Sequence, residues 1–268
     1  MKLFLFLVTI LSISISLTAQ DMSAYEKKLF ILNKDTLRYR ILYPYHYNPH
    51  KKYPVLTFLH GSGERGNDNE SQLIHGGTLF LNDALRKKLR AIVLFPQLPK
   101  DSQWDYHTKT DDPSSPTGKS YHFIFSADQT IPSFLVKSLL NRLIKDKVAD
   151  QRRMYIGGLS FGGMGTFDMI ERFPGFFAAA FPICGGGDTT KAKLVAGKTA
   201  VWIFHGDADQ EVNVNNSRQY YKALKNLHAD VRYTEYPGVG HNSWDNAFAE
   251  KNLLPWLFSK TKWVDHKK

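Results

Sequence analysis

The sequence predicts an α/β fold: one mostly parallel central sheet, helices on both of its faces, and an antiparallel hairpin at its N-terminal end. Three observations carry this. Short apolar runs recur along the chain, as at 55–59 (VLTFL), 91–95 (AIVLF) and 201–204 (VWIF), and such runs suit strands buried on both faces. Segments of helical period lie between them, and strand alternating with helix at this spacing gives parallel neighbours joined by helical crossovers. The chain of 268 residues, 43% hydrophobic and 22% charged, is long enough for one sizeable core and short for two.

In chain order, the first element is not part of the fold. Met1-Lys2 is followed by an apolar run over 3–17, then by Ala19 before Gln20-Asp21. This order of charge, apolar run and small residue reads as a secretory signal peptide at 1–19. Ser12, Ser14 and Ser16 dilute the run, which is short for a span; no stable membrane span is expected after cleavage. A secreted or periplasmic location follows. The remainder, 24–262, reads as a single domain with no internal repeat or linker.

Segments 28–32 and 37–42 are strand-like, with Asn33-Lys34-Asp35 as the hairpin turn. Further strands are expected at 55–59, 91–95, 154–156, 178–181, 201–204 and 231–236. Helical patterns occupy 79–89, 132–147, 161–173, 216–227 and 244–257, and Pro132 fits a first helical position. Segment 101–130 shows no clear periodicity. A loop of that length is often functional, and it should overlie the carboxyl edge of the sheet, where open α/β folds bind ligands.

Composition narrows the function classes. The net charge is +10, but the basic residues come in scattered pairs such as Lys51-Lys52 and Lys87-Lys88. This reads as a solvated basic surface, with no nucleic-acid partner expected; attraction to an acidic polysaccharide or an anionic membrane surface stays open. Cys184 is the single cysteine, so no internal disulfide can form, and its apolar setting reads as the buried end of a strand rather than a nucleophile. No motif specifies an oligomeric state.

Gly158-Leu159-Ser160-Phe161-Gly162 matches G-x-S-x-G. A serine hydroxyl attacks only if it stands clear of the sheet and meets a base; a sharp strand-to-helix turn between small residues achieves this. Here the motif lies between strand 154–156 and helix 161–173, which makes Ser160 the candidate nucleophile. Serine needs a base, and His241, in the glycine-rich loop after the last strand, can supply one. The histidine needs an acid to fix its tautomer. Asp207 and Asp209 both follow strand 201–204; Asp209 is favoured, and Asp207 is expected to hold a turn. The tetrahedral oxyanion needs donors: the N–H of Phe161, and that of Ser62 in His60-Gly61-Ser62-Gly63-Glu64-Arg65-Gly66. This loop lacks the Gly-Lys-Ser/Thr ending of a phosphate cradle.

Together, Leu59 to Gly66, Pro96-Gln97 with Trp104, the Ser160 motif, His205-Gly206-x-x-Asp209-x-x-Val212 and Tyr236 to Trp244 resemble exported bacterial esterases. They look like the feruloyl and acetyl-xylan esterases of carbohydrate esterase family 1. They are also similar to proteins called prolyl-oligopeptidase-family peptidases, phospholipases or polyhydroxybutyrate-depolymerase-like proteins. The resemblance spans 29–258. It implies the α/β-hydrolase fold and serine ester hydrolysis by Ser160, Asp209 and His241, with donors at Ser62 and Phe161. Its spacing His-Gly-x-x-Asp selects Asp209 over Asp207. Gln97, Trp104 and Trp244 are expected to line the substrate pocket. No metal or cofactor is expected; the expected partner is a small-molecule or polysaccharide-linked ester such as an acylated carbohydrate. A serine peptidase of the prolyl-oligopeptidase type is the nearest alternative, although 24–262 leaves little room for a gating domain. A catalytically dead carbohydrate-binding protein is the alternative from another class.

Overall fold

The computed structural model describes residues 21–126 and 128–262; the signal peptide expected at 1–19 lies outside them. In chain order the elements are β1 (Glu26–Leu32), β2 (Asp35–Leu42), β3 (Tyr53–Leu59), α1 (Asp83–Leu89), β4 (Ile92–Gln97), β5 (His107–Asp111), β6 (Lys119–Phe123), α2 (Ile131–Lys145), β7 (Ala149–Leu159), α3 (Phe161–Arg172), β8 (Ala179–Ile183), α4 (Ala192–Val195), β9 (Ala200–Gly206), α5 (Asn215–Asn226), β10 (Val231–Tyr236), α6 (Trp244–Ala249) and α7 (Leu253–Ser259).

Eight strands form one sheet in the order β1-β2-β4-β3-β7-β8-β9-β10. The pairs β1/β2 and β2/β4 are antiparallel; from β4 through β10 every neighbouring pair is parallel. This is the mixed, mostly parallel sheet of the α/β-hydrolase fold. Side chains alternate along each strand, so the apolar runs feed two cores. Val55, Leu94 and Ile156 pack under α2, α3, α4 and α5, while Leu56, Phe58, Phe95 and Phe181 pack under α1, α6 and α7. Each such fully buried side chain contributes roughly 1.5–3 kcal/mol.

Helix boundaries differ from the periodic patterns where a capping residue or proline intervenes. The pattern over 79–89 divides into a 3-10 turn, Thr78–Leu81, and α1, because Asn82 is extended and its side chain accepts from the Leu85 N–H. The pattern over 244–257 divides into α6 and α7 at the extended Glu250. Pro255 has no N–H to donate back into a continuous helix, but it is tolerated in the first turn of a new one. α2 starts one residue early, with Thr130 as its N-cap and Pro132 in its first turn.

Segment 101–130 is the main departure. It contains a second, two-stranded sheet in which β5 and β6 pair antiparallel from His107↔Phe123 to Asp111↔Lys119. Both strands are partly or wholly exposed, so no buried face imposes an apolar alternation, and the period that marks the core strands is missing. Among the described residues no helix is long and apolar enough to cross a membrane.

Candidate active site

β7 ends in the turn that carries Ser160. This residue has φ 53° and ψ −118°, a sparsely populated conformation costing of order 1–3 kcal/mol. The two motif glycines make the turn possible. A Cβ at Gly162 would lie 1.9 Å from the Leu59 carbonyl oxygen, and one at Gly158 would lie 2.3 Å from that of Gly162. The Ser160 N–H donates to the Ile183 carbonyl at the end of β8 (3.0 Å), and its own carbonyl accepts from Met164 N–H (2.9 Å). The side chain is thereby lifted off the carboxyl edge of the sheet.

The structure brings Ser160, His241 and Asp209 into one hydrogen-bonded line. His241 Nδ1 lies 2.8 Å from Asp209 Oδ2. A carboxylate only accepts, so Nδ1 carries the proton and Nε2 presents its lone pair. Nε2 lies 3.0 Å from Ser160 Oγ and accepts its hydroxyl. Asp209 is buried, and its Oδ1 accepts the N–H groups of Glu211 (2.8 Å) and Val212 (2.9 Å). Burial alone would raise its pKa; hydrogen bonds from His205, His241 and the Val212 amide outweigh burial and hold the carboxyl well below the usual carboxylate range.

His205, legible in the sequence only as part of the spacing, joins this set. Fully buried, it places Nε2 3.2 Å from Asp209 Oδ2 and 2.9 Å from the Val212 carbonyl. Both partners only accept, so Nε2 holds a proton and steadies the carboxylate at the oxygen that His241 also engages. Asp207 has the turn role expected of it: its Oδ1 accepts from Gly238 N–H (2.6 Å), tying the β9 turn to the loop that carries His241.

The two expected oxyanion donors each begin a helical turn, Phe161 in α3 and Ser62 in the 3-10 turn Ser62–Glu64. The first N–H groups of a helix have no intrahelical acceptor. At Ser62 a buried histidine fixes the direction. His60 Nε2 accepts Leu98 N–H (2.9 Å), so Nδ1–H donates to the Gly61 carbonyl (2.6 Å). In a trans peptide the carbonyl and the following N–H point oppositely; with Gly61 O drawn to His60, Ser62 N–H faces away from it. Burial lowers the His60 pKa to about 4, which preserves this neutral tautomer. In the sequence His60 reads only as the first residue of the glycine-rich loop.

Two of the three expected pocket residues are interior instead. Trp104 is fully buried; its indole N–H donates to the His60 carbonyl (3.0 Å), and its Cβ lies 2.3 Å from where a Cβ of Gly165 would be. Gln97 is also buried: its Oε1 accepts Asn69 N–H (2.8 Å), and its Nε2 donates to Asp68 (2.7 Å) and to the Glu64 carbonyl (3.2 Å). These side chains hold the Ser62 loop rather than line a pocket, because their polar atoms find loop backbone within reach. Trp244 is half-buried, its ring edge-on to His241 at 5.4 Å.

Ser160 and His241 open into a cleft of ≈ 470 Å³ lined also by Ser62, Arg65, His107, Lys109, Tyr121, Phe161, Glu211 and Val212. Three of these residues come from the β5–β6 hairpin, whose strands were not legible in the sequence. Cys184, the fully buried residue after β8, places its sulfur within 4.8 Å of donor atoms of Asp209 and His241. Burial and the Asp209 charge push its thiol pKa far up, and Asp209 and His241 are engaged with each other. That donor set does not fit a metal ion.

A nucleophile, a base and an acid on the carboxyl edge of such a sheet define the class of α/β-fold serine hydrolases. The chain belongs to the Esterase family: the family model described as "Putative esterase" matches residues 33–251. Among solved structures it is similar to a thermostable esterase at 33% identity and TM-score 0.78, the match covering 90% of this chain and 64% of that one. The chain thus spans somewhat under two thirds of that relative's length. In fold it is similar to a ferulic acid esterase (18% identity, TM-score 0.64, 88% and 97% covered). It is likewise similar to the acylaminoacyl peptidase of Pyrococcus horikoshii (15% identity, TM-score 0.60, 91% of this chain and 43% of that one). No curated protein matches.

Proposed function

We propose that this protein is an exported serine hydrolase that cleaves carboxylic esters through an acyl-enzyme. The observation that carries the reading is the unbroken line Ser160 Oγ–His241 Nε2 (3.0 Å) and His241 Nδ1–Asp209 Oδ2 (2.8 Å) at the floor of an open cleft. His241 takes the hydroxyl proton as Ser160 Oγ bonds to the ester carbonyl carbon. The oxyanion so formed lies between the N–H groups of Ser62 and Phe161. The imidazolium, stabilised by Asp209, then gives its proton to the departing alkoxide. Water, deprotonated by His241, attacks the acyl-enzyme; the acid leaves and Ser160 regains its proton.

An acylated carbohydrate or a related small ester is the proposed substrate. The motif resemblance to carbohydrate esterases supports it, as does the match to the Esterase family. Export through residues 1–19 suits such a substrate and predicts that the mature N-terminus, read by mass spectrometry of the secreted or periplasmic protein, lies next to Ala19. The decisive experiment compares p-nitrophenyl acetate hydrolysis by the wild-type protein and Ser160→Ala. The variant is expected to lose at least about 10³-fold in kcat/KM with unchanged circular dichroism; equal rates would overturn the reading. Acetylated xylan, methyl ferulate and a proline-containing peptide follow, and cleavage of the peptide alone would replace ester hydrolysis with peptidase activity.

A further inference from the structure

The cleft around Ser160 carries both signs of charge. Two cations line it, and one of them, Arg65, stands beside the oxyanion donors. Arg65 is fixed by its Nε, which donates to the Ser62 carbonyl (2.9 Å), and by Nη1, which reaches the Ser102 carbonyl (3.4 Å). Its guanidinium lies 5.5 Å from the Phe161 ring centroid. Lys109, on β5, places Nζ 5.1 Å from the Tyr121 ring centroid. The cleft is also lined by exposed Glu211, whose N–H donates to Asp209 behind His241.

The partners of these cations set them apart. Arg172 is paired with Asp168 at 2.7 Å and Arg218 with Glu235 at 2.7 Å. Among the described residues neither Arg65 nor Lys109 has a carboxylate oxygen within 4.0 Å. Arg65 is held by carbonyls, which orient the guanidinium without neutralising it. Asp105, a buried acid at the hairpin base, places both carboxylate oxygens 3.1 Å from His107 Nδ1, and Glu64, the buried acid next to Arg65 in the chain, directs its oxygens to His75 (3.6 Å) and His60 (4.0 Å). Two unneutralised positive charges, one of them pre-oriented, therefore face the space in front of Ser160. An arginine held in this way keeps N–H donors in a planar fork that suits an oxyanion.

Resting on the ester-hydrolase reading of Ser160, we propose that Arg65 and Lys109 form an anion-recognising subsite for the acyl part of the substrate. The ester cleaved here carries a negatively charged oxyanion, a carboxylate or a phosphate-like group, at the far end of its acyl chain. Position decides between acyl and alcohol. The acyl carbonyl oxygen is the atom that enters the Ser62 and Phe161 donors, and Arg65 is bonded to one of those residues and lies against the other. The leaving oxygen must instead face His241 Nε2, on the side where Glu211 would repel an anionic alcohol. The rings of Tyr121 and His107 give the intervening chain an apolar bed.

The test compares mono-p-nitrophenyl adipate with p-nitrophenyl hexanoate, acyl chains of equal length ending in a carboxylate or a methyl group, each corrected for spontaneous hydrolysis. The corresponding terminal phosphonate, run beside them, separates a carboxylate site from one for a doubly charged anion. The wild-type protein is expected to favour an anionic ester over hexanoate by about tenfold or more in kcat/KM, and about 1 M salt should reduce the preference. In Lys109→Gln the ratio should shrink, and in Lys109→Glu it should vanish or invert; Lys193→Gln, an exposed lysine outside the cleft, should keep the wild-type ratio. Hexanoate cleaved as fast as both anionic esters, or a preference unaltered in Lys109→Glu, overturns the subsite and leaves the hydrolase reading standing. Cleavage of none of the three by the wild-type protein overturns both.

Discussion

Ser160 and Asp209 stand just beyond buried parallel strands and His241 beyond β10, the half-buried parallel strand at the sheet edge, whereas His107, Lys109 and Tyr121 stand on a partly exposed hairpin inserted between β4 and α2. The first group is held by backbone on several sides: Ser160 by Ile183 and Met164, Asp209 by Glu211 and Val212. The hairpin is fastened to the body by a few bonds, among them Asn213 Nδ2 to Ser115 Oγ (3.0 Å) and Thr130 Oγ1 to the Trp104 carbonyl (2.9 Å). The difference teaches a division of labour. Bond-making groups must hold their geometry within a fraction of an ångström, so they sit on the rigid sheet edge. Groups that choose the substrate can sit on an excursion whose side chains vary without disturbing the core.

That division can be broken most forcefully at its rigid end. Asp209→Asn keeps the shape but turns an obligate acceptor into a group that can donate, which favours the wrong tautomer of His241. A loss of about 10³-fold or more in kcat with little change in KM is expected; a loss of a few-fold in steady-state assays would show that the buried carboxylate is dispensable.

A smaller effect tests the frame behind the oxyanion loop. The His60 pKa is lowered from 6.5 to about 4 by burial. Between those values the unfolded chain takes up a proton that the folded chain refuses, so this group's contribution to stability is lost as pH falls from about 6.5 to 4. The loss is at most about 3 kcal/mol. His60→Gln removes the titration. The difference in unfolding free energy between wild type and variant, from urea titrations, should therefore shrink as pH is lowered across that window. Asp168, whose pKa is raised to about 6 by burial, acts with the opposite sign and cancels in the difference. A difference independent of pH would refute the neutral, buried role of His60.

The smallest effect is expected on the hairpin. Tyr121→Ala removes part of the cleft wall without touching Ser160, His241 or Asp209, so KM for an aryl ester should rise a few-fold while kcat stays within about twofold. The melting temperature should move by about 1 °C or less, because a partly exposed residue contributes little to stability. A tenfold fall in kcat at constant KM would place the hairpin in the chemistry and erase the contrast.

Where the sequence was legible, a strong local constraint produced the signal. A serine between glycines at a strand-to-helix turn is confined by sterics to a single tight geometry, and the buried parallel strands announce themselves as apolar runs because both of their faces are covered. Where it was not legible, two environments share one local pattern. Gln97 ends a strand and Trp104 follows it, as pocket residues would, yet both face inward and hold the Ser62 loop. His107 and Tyr121 belong to strands too short and too exposed to impose alternation. His60 and His205 matter through the backbone carbonyls they bond and, for His205, through a contact with Asp209 that the His-Gly-x-x-Asp spacing contains but does not reveal as a hydrogen bond.

By itself, the sequence determined the fold class, the turn at Ser160 and the order in which Ser160, Asp209 and His241 follow the strands, because backbone sterics and burial act over a few residues. The tertiary structure decided which groups meet. Ser160 and His241 are 81 positions apart, and only the sheet order β7-β8-β9-β10 places their turns on one edge. It also decided the histidine tautomers and left Arg65 and Lys109 without acids, since both depend on partners that the chain supplies from remote segments.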